Sequence, residues 1–311
     1  MMLKKKMRSV FAVACLLASA GTAACGGNYS NEDLEFQTSI PDKTDLAPNI
    51  AAQLIAGSAE SYKLTHGTVQ GYRRLLGFVA SLLDHVRRHP ATTRTTDGRV
   101  WGPFADDKQP GYVLRVSMSR LALTAESKSF KFSYSLDFAT KAAKAFVPVI
   151  YGTFDSKGGL GEGNGQVSFD VDRLRSIQYP VGPDIVEVRK IDITHSRNDG
   201  FRSLLVHQDN TATAAAPTAD LTYSESPDGS ATTRFVLTLA ANLWTSEIDV
   251  VSAWRGDGAG RGEIKVTRGL ATGLLGIDCW GATTVPTYVS RDWDKAANQG
   301  DMGTCVLPPL R

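Results

Sequence analysis

The chain has 311 residues, of which 42% are hydrophobic and 21% are charged. This length and composition suffice for one large hydrophobic core or two modest ones. The 34 basic and 32 acidic residues give a net charge of +2, and no block of like charge follows the first ten residues. Because nucleic-acid binding requires clustered cations, we do not expect a nucleic-acid partner.

The N-terminal segment has the pattern of a secretory signal. Lys4, Lys5, Lys6 and Arg8 precede an apolar run over residues 10–20, and small residues then lead to Cys25. The apolar run is too short to span a bilayer as a permanent helix. No apolar run of eighteen or more residues follows it, so the sequence predicts no further membrane span.

The cysteine that ends this segment resembles the lipobox of bacterial lipoproteins. The resemblance implies a signal peptide over residues 1–24, cleavage after Ala24, and palmitate-type acyl chains on Cys25. Removing the signal leaves 30 basic against 32 acidic residues. Gly26, rather than an aspartate, follows the cysteine, which favours the outer membrane of the cell envelope. The alternative is cleavage after Ala20, which would release a soluble secreted protein, and Thr22 occupies a position where the best lipoboxes have Leu or Val.

Two further cysteines, Cys279 and Cys305, are expected to be paired. An exported protein meets an oxidising compartment, in which thiols form disulfides. Closing a loop of this length stabilises a fold by roughly 3.5 kcal/mol in the chain-entropy model. The alternative is a metal or redox pair, but the spacing is not CxxC and no histidine follows His207.

The segment before residue 90 predicts a tether followed by helices. Residues 25–45 are polar and rich in turn formers, which is typical of a flexible tether. We predict a short helix from Asp45, with Pro48 in its first turn, within a helical region over residues 46–90. A second, longer helix is predicted over residues 68–89 from an apolar stripe at Val69, Tyr72, Leu76, Val79, Leu83 and Val86.

Beyond residue 100 the hydrophobic period becomes two, which predicts β-strands. About ten strands are expected, over residues 112–118, 130–138, 147–155, 166–172, 185–194, 201–208, 221–226, 232–239, 248–255 and 263–268. The predicted fold is a single α+β domain over residues 46–311. Its N-terminal helices pack on a large curved antiparallel sheet over residues 100–280, a half-barrel or open barrel. A disulfide loop over residues 279–305 closes the domain.

Two glycine-rich segments, residues 161–169 and 258–266, share the pattern GxGxGx followed by an alternating strand. Glycine at alternate positions removes the side chains from one face of a strand. The strand can then bend sharply, or a ring or another backbone can lie against it.

Six residues lie in patterns that chemistry uses: His85 and His89, His195 and His207, Asp170 and Asp172. The first pair has the spacing of metal ligands on a helix, but cations near a helix C-terminus also offset its dipole. The second pair could supply the base of a hydrolase, although the chain contains no GxSxG. The two aspartates are expected on one strand face, where solvated carboxylates are common. The sequence therefore predicts no catalytic residue, no cofactor and no metal ligand.

The lipobox, the tether and the helical segment precede the opening Val-Trp-Gly-Pro-Phe at residues 100–104, the GxGRGxIxV strand at 258–266, and Cys279-Trp280. Together they resemble uncharacterised bacterial lipoproteins of the myxobacterial type. In architecture the chain is also similar to half-barrel periplasmic carriers of lipids and lipoproteins. The resemblance implies a non-enzymatic, lipid-anchored envelope protein that binds an apolar ligand or an envelope protein. The alternatives are an envelope hydrolase that uses His195 or His207, and a purely structural surface lipoprotein.

Mass spectrometry of the protein purified from native membranes tests the predicted anchor. We expect an N-terminal peptide that begins at Cys25 and carries two or three acyl chains. The Cys25→Ser variant should leave the membrane fraction, because the protein then has no chain to hold it. An unlipidated N-terminus at Gly21 would contradict the prediction.

Overall fold

The computed structural model of the protein describes residues 31–50, 54–84, 89–122, 130–157, 162–211, 218–241 and 244–310. Its α-helices are α1 Asn31–Thr38, α2 Lys43–Leu46, α3 Glu60–Leu83 and α4 Val171–Ser176. Its strands are β1 Thr93–Thr95, β2 Gly98–Ala105, β3 Tyr112–Ala122, β4 Phe130–Thr140, β5 Val147–Ser156, β6 Gly163–Asp170, β7 Val188–Asn198, β8 Phe201–Asn210, β9 Thr218–Glu225, β10 Ala231–Ala241, β11 Trp244–Trp254, β12 Gly260–Arg268, β13 Leu275–Trp280, β14 Pro286–Arg291 and β15 Gln299–Gly300. No helix in these ranges is long and apolar enough to cross a membrane.

The strands form one antiparallel sheet in which spatial order follows chain order from β1 to β15. The sheet is open, since β1 and β15 lie at its two edges. Every odd-numbered strand therefore ends at the same end of the sheet. We call this the proximal end. It carries the β1–β2, β7–β8 and β9–β10 turns, and the distal end carries the alternate turns.

All ten predicted strands are present, as β3 to β12. The expected number was wrong, because β1, β2, β13, β14 and β15 add five more. Gly102 and Pro103 interrupt the alternation in β2, where the register to β3 shifts. The last three strands are short, and two of them lie where a disulfide loop over residues 279–305 is predicted. That loop contains β14 and β15.

The prediction of a flexible tether over residues 25–45 is wrong from residue 31 onward. Residues 31–38 form α1, and Phe36 of this helix is fully buried. The Asp33 carboxylate is 0% exposed and accepts from Arg99 Nε at 2.6 Å and from Arg94 Nε at 3.0 Å. These ion pairs fix α1 to β1 and β2. Cys25 and residues 26–30 lie outside the described residues.

The helical region predicted over residues 46–90 is shorter than expected. The helix α2 is a single turn that ends before Pro48, with Ala47 extended at φ −89° and ψ 117°. Residues before proline disfavour the α conformation, which explains why the predicted helix from Asp45 stops there. The predicted long helix is present as α3, and the predicted stripe from Val69 to Leu83 is buried. The last member of the stripe, Val86, lies outside the described residues, as does His85.

The helix α3 begins eight residues earlier than predicted because its first turns use small polar residues as contacts. The Ser61 N–H donates to Asp278 Oδ2 at 2.8 Å, and Thr65 Oγ1 lies 2.6 Å from Ser252 Oγ. Both side chains are buried on the side of the helix that faces β11 to β13. Apolar periodicity does not detect such contacts.

The hydrophobic core lies between the helices and the inner face of the sheet. Tyr62 at the start of α3 packs on Trp280 of β13, and Phe78 near its end packs on Phe169 of β6. The α1 residue Phe36 contacts Phe132 of β4. A flat sheet of this size would be about 65 Å wide, whereas a helix of this length spans about 36 Å. The sheet therefore curves around the helices that it contacts.

The two glycine-rich segments confirm the expectation that a ring lies against them. A Cβ on Gly165 would stand 2.3 Å from His195 Nε2, and one on Gly260 would stand 2.5 Å from Trp280 Cζ2. The strand β12 also lets the helix α3 approach, since a Cβ on Gly262 would stand 2.5 Å from Ser61. These glycines permit the close contacts between sheet and core.

The predicted disulfide between Cys279 and Cys305 is present, with a Cα–Cα distance of 5.4 Å. The bond ties Cys305, which follows β15, to Cys279 in β13. The C-terminal chain is thereby held against the edge of the sheet.

The ring contact at Gly260 can be tested by urea unfolding. We expect Gly260→Ala to lower the free energy of unfolding by about 1–3 kcal/mol, because the added methyl overlaps Trp280 and the Ala253 carbonyl. The matched control is Gly67→Ala in α3, where nothing lies within 4 Å of the added methyl. This control should raise stability by about 1 kcal/mol through helix propensity. Equal effects of the two substitutions would contradict the assigned contact.

Candidate functional site

A cleft of about 600 Å³ opens at the proximal end, between α2, α3 and the β7–β8 and β9–β10 turns. Four cations line it together with one acid: Lys43, Arg73, Arg197, Arg202 and Glu225. The remaining lining includes the backbone and side chains of residues 47–49 and of the turn around Pro227. This cleft is the candidate functional site.

The α2 turn is positioned by a capping box. Asp42 Oδ1 accepts from the N–H of Thr44 at 2.6 Å and of Asp45 at 3.0 Å, while Asp45 Oδ2 accepts from Asp42 N–H at 2.9 Å. Asp45 is buried, and burial raises the pKa of its carboxyl against the opposing hydrogen bonds and the Arg197 charge. Arg197 Nη1 lies 3.2 Å from Asp45 Oδ1, which joins α2 to β7.

A second network holds the wall of the cleft. Arg202 of β8 donates to the Thr44 carbonyl, to the Ala47 carbonyl at 3.1 Å, and to the Glu225 carboxylate. The Tyr223 hydroxyl accepts from Asn49 N–H at 3.1 Å and lies 2.9 Å from Glu225 Oε2. The charge of Arg202 is thus matched by Glu225, so this arginine has a structural role.

Two cations of the cleft are not matched in this way. Within the described part of the chain, Arg73 and Lys43 have no carboxylate partner. Arg73 is half-buried, and the stem of Lys43 lies 3.6 Å from the position of a Cβ on Gly77. Arg197 is paired but its side chain is 47% exposed. The cleft therefore offers an excess of positive charge to an anionic group.

Comparison of the chain with models of protein families, with curated proteins and with solved structures found no match. The likeness to myxobacterial-type lipoproteins and to half-barrel carriers therefore stays a prediction. The function must be argued from the site itself.

His195 lies on the inner face of the sheet and is not arranged for catalysis. It is 3% exposed, its ring stacks on Phe154 at 6.0 Å, and its Nε2 has no hydrogen-bond partner within the described part of the chain. Burial lowers the pKa of its imidazole to about 4. Among the described residues no acid or hydroxyl is hydrogen-bonded to this ring, whereas the base of a triad is hydrogen-bonded to both.

His207 has acid partners but lies on the outer face. Its Nδ1 is 2.6 Å from Asp220 Oδ1 and its Nε2 is 3.4 Å from Asp209 Oδ1. The hydrogen bond with Asp220 raises the pKa of the imidazole. None of the four described histidines, His66, His89, His195 and His207, hydrogen-bonds a serine, threonine or cysteine.

The prediction that Asp170 and Asp172 project from one strand face is wrong. Asp170 caps α4 by accepting from Arg173 N–H at 3.0 Å, and Asp172 lies inside that helix. Asp172 is bound by Arg175 and Arg189 at 2.7 and 2.9 Å. The described residues contain no group of three or more acids, histidines or cysteines placed to hold a metal. His85 lies outside them, and the His89 ring packs on Phe104 at 4.8 Å.

The space between α3 and the sheet is largely filled by side chains. Trp280 and Phe169 are fully buried there, in contact with Tyr62 and Phe78 of α3. A second cleft of about 310 Å³ separates α3 from β8 to β10, and Arg74 and Asp220 stand beside its apolar lining. The basic cleft has charged walls, whereas this second cleft has a largely apolar lining with a few polar groups.

The pH dependence of stability tests the environment of His195. The folded pKa of His195, about 4, lies below the unfolded value of 6.5. The contribution of the neutral His195 ring to the free energy of unfolding is therefore complete above pH 6.5 and is lost as pH falls toward 4. Between about pH 7.5 and pH 5 we expect the wild type to lose about 2 kcal/mol more than His195→Gln, measured by urea unfolding.

The matched control is His207→Gln. The pKa of His207 is raised, so its contribution has the opposite sign: it is present at low pH and is lost as pH rises above the folded pKa. An equal pH response in the wild type and in His195→Gln would show that His195 is not a buried neutral ring.

Proposed function

We propose that the protein is a non-enzymatic, lipid-anchored protein of the cell envelope, in the outer membrane. Its basic cleft binds a ligand or partner that presents an anionic group. The observation that carries the ligand class is the pair of unmatched cations, Arg73 and Lys43, beside Arg197. The lipobox-like sequence that ends at Cys25 supports the location. The finer architecture, a half-barrel that cradles its helices, belongs to the same proposal.

Charge favours an anionic ligand over an apolar one. The helix α3 and residues 36–50 contact the sheet at β4, β6, β7, β9 and β11 to β13. The basic cleft, in contrast, is open, and its walls are held by the capping box and by the Arg202–Glu225 pair. A wall held in this way, with cations beside it, suits an oxyanion, because little reorganisation of the wall is needed on binding.

Titration with pyrophosphate by calorimetry tests the cleft. We expect Arg73→Gln to weaken binding about tenfold, because one charge-assisted hydrogen bond contributes about 1.5 kcal/mol. Lys43→Gln should weaken binding less, because a solvent-exposed ammonium contributes less binding free energy to an ion pair.

The matched control is Arg74→Gln. Arg74 is the next residue on α3, is exposed and does not line the basic cleft. It should leave the affinity unchanged. Equal losses from Arg73→Gln and Arg74→Gln would show general attraction to a positive surface and would refute the cleft as the site.

A further inference from the structure

We propose that the proximal end of the sheet is the surface by which the domain docks on the bilayer that holds the Cys25 anchor. In this arrangement the phosphate groups of anionic phospholipids occupy the basic cleft. The inference rests on the proposed anchor and assigns the source of the anionic group.

The length of chain between the anchor and the fold limits where the domain can lie. Five residues, 26–30, separate Cys25 from the first residue of α1. A fully extended chain spans at most about 3.5 Å per residue, so Asn31 stays within about 20 Å of the lipidated cysteine.

The ion pairs of α1 with other described residues lie at the proximal end. Asp33 binds Arg94 and Arg99 beside the β1–β2 turn, and Glu35 binds Arg120 near the end of β3 at 3.1 Å. A strand of eleven residues is about 36 Å long. The distal end is therefore beyond the reach of the linker, whereas the proximal end is within it.

The basic cleft is the part of the proximal end that suits an anionic phospholipid surface, since the surrounding turns also expose Asp97, Asp199, Asp228 and Asp257. The basic cleft opens there, next to the β7–β8 turn, and supplies the cations. Large apolar side chains are exposed at both ends of the sheet. Those at the proximal end include Leu34 at 48%, Leu121 at 53% and Phe201 at 57%, and Phe201 directly precedes Arg202 of the basic cleft. Apolar residues beside cations are the combination that binds the interface of an anionic bilayer.

Fluorescence quenching from within the membrane tests this orientation. The full-length lipidated protein is placed in vesicles of phosphatidylcholine and phosphatidylglycerol. A single added cysteine, from Leu121→Cys or Leu270→Cys, carries an environment-sensitive dye, and the lipids carry a nitroxide quencher. Leu270 lies in the β12–β13 turn at the distal end and is 92% exposed. We expect at least about a threefold stronger quenching at position 121, because nitroxide quenching requires near contact.

The outcomes separate the two proposals. Equal quenching at the two positions, or stronger quenching at position 270, overturns the proposed docking surface. If lipid is detected on Cys25 in the same sample, that result leaves the proposed anchor intact. Lipid absent from Cys25 overturns the anchor and the docking that rests on it. Removing phosphatidylglycerol, or introducing Arg73→Gln, should lower the quenching at position 121. Quenching that is indifferent to both changes overturns the assignment of phospholipid phosphate to the cleft.

Discussion

An open antiparallel sheet buries one face only, and the covering of that face is the constraint on which the rest of this structure depends. Closed barrels remove both the apolar inner face and the edges from water, but here β1 and β15 remain apart. The N-terminal segment must therefore supply the cover. The helix α3 provides most of it, and residues 36–50 extend the cover toward β4, β7 and β9. The basic cleft lies between two of these covering segments, the α2 region and α3, and the proximal end of the sheet.

Close approach between cover and sheet is achieved by small residues on both sides. Gly260 and Gly262 of β12 leave room for the Trp280 ring and for Ser61 of α3. Among the buried polar groups that this approach brings together, the hydroxyls of Thr65 and Ser252 are hydrogen-bonded to each other, whereas the Ser61 hydroxyl has no hydrogen-bond partner among the described residues. The edges are handled differently: β1 has three residues and β15 has two, which limits pairing with another chain. The disulfide holds the C-terminal segment beside the second edge.

Sequence patterns predicted the elements that repeat a simple period over many residues. The ten central strands alternate apolar and polar residues, and the stripe of α3 repeats every three to four residues. The elements that were missed rely on contacts distant in the chain. α1 has little amphipathic pattern, and it is fixed by the buried Asp33, whose partners lie more than sixty residues away. Four of the cleft residues, Lys43, Arg73, Arg202 and Glu225, come from four separate elements and form no motif.

The sequence by itself determined the antiparallel strand pattern, the disulfide between Cys279 and Cys305, the face of α3 that is buried, and the glycines on which rings lie. These features depend on period, on residue size or on thiol chemistry, which are local properties. Only the tertiary structure decided that the supposed tether is a folded cover and that unmatched cations meet at the proximal end. The reason is that charge pairing is a property of space: whether a lysine or an arginine has a partner depends on which distant residues the fold brings beside it.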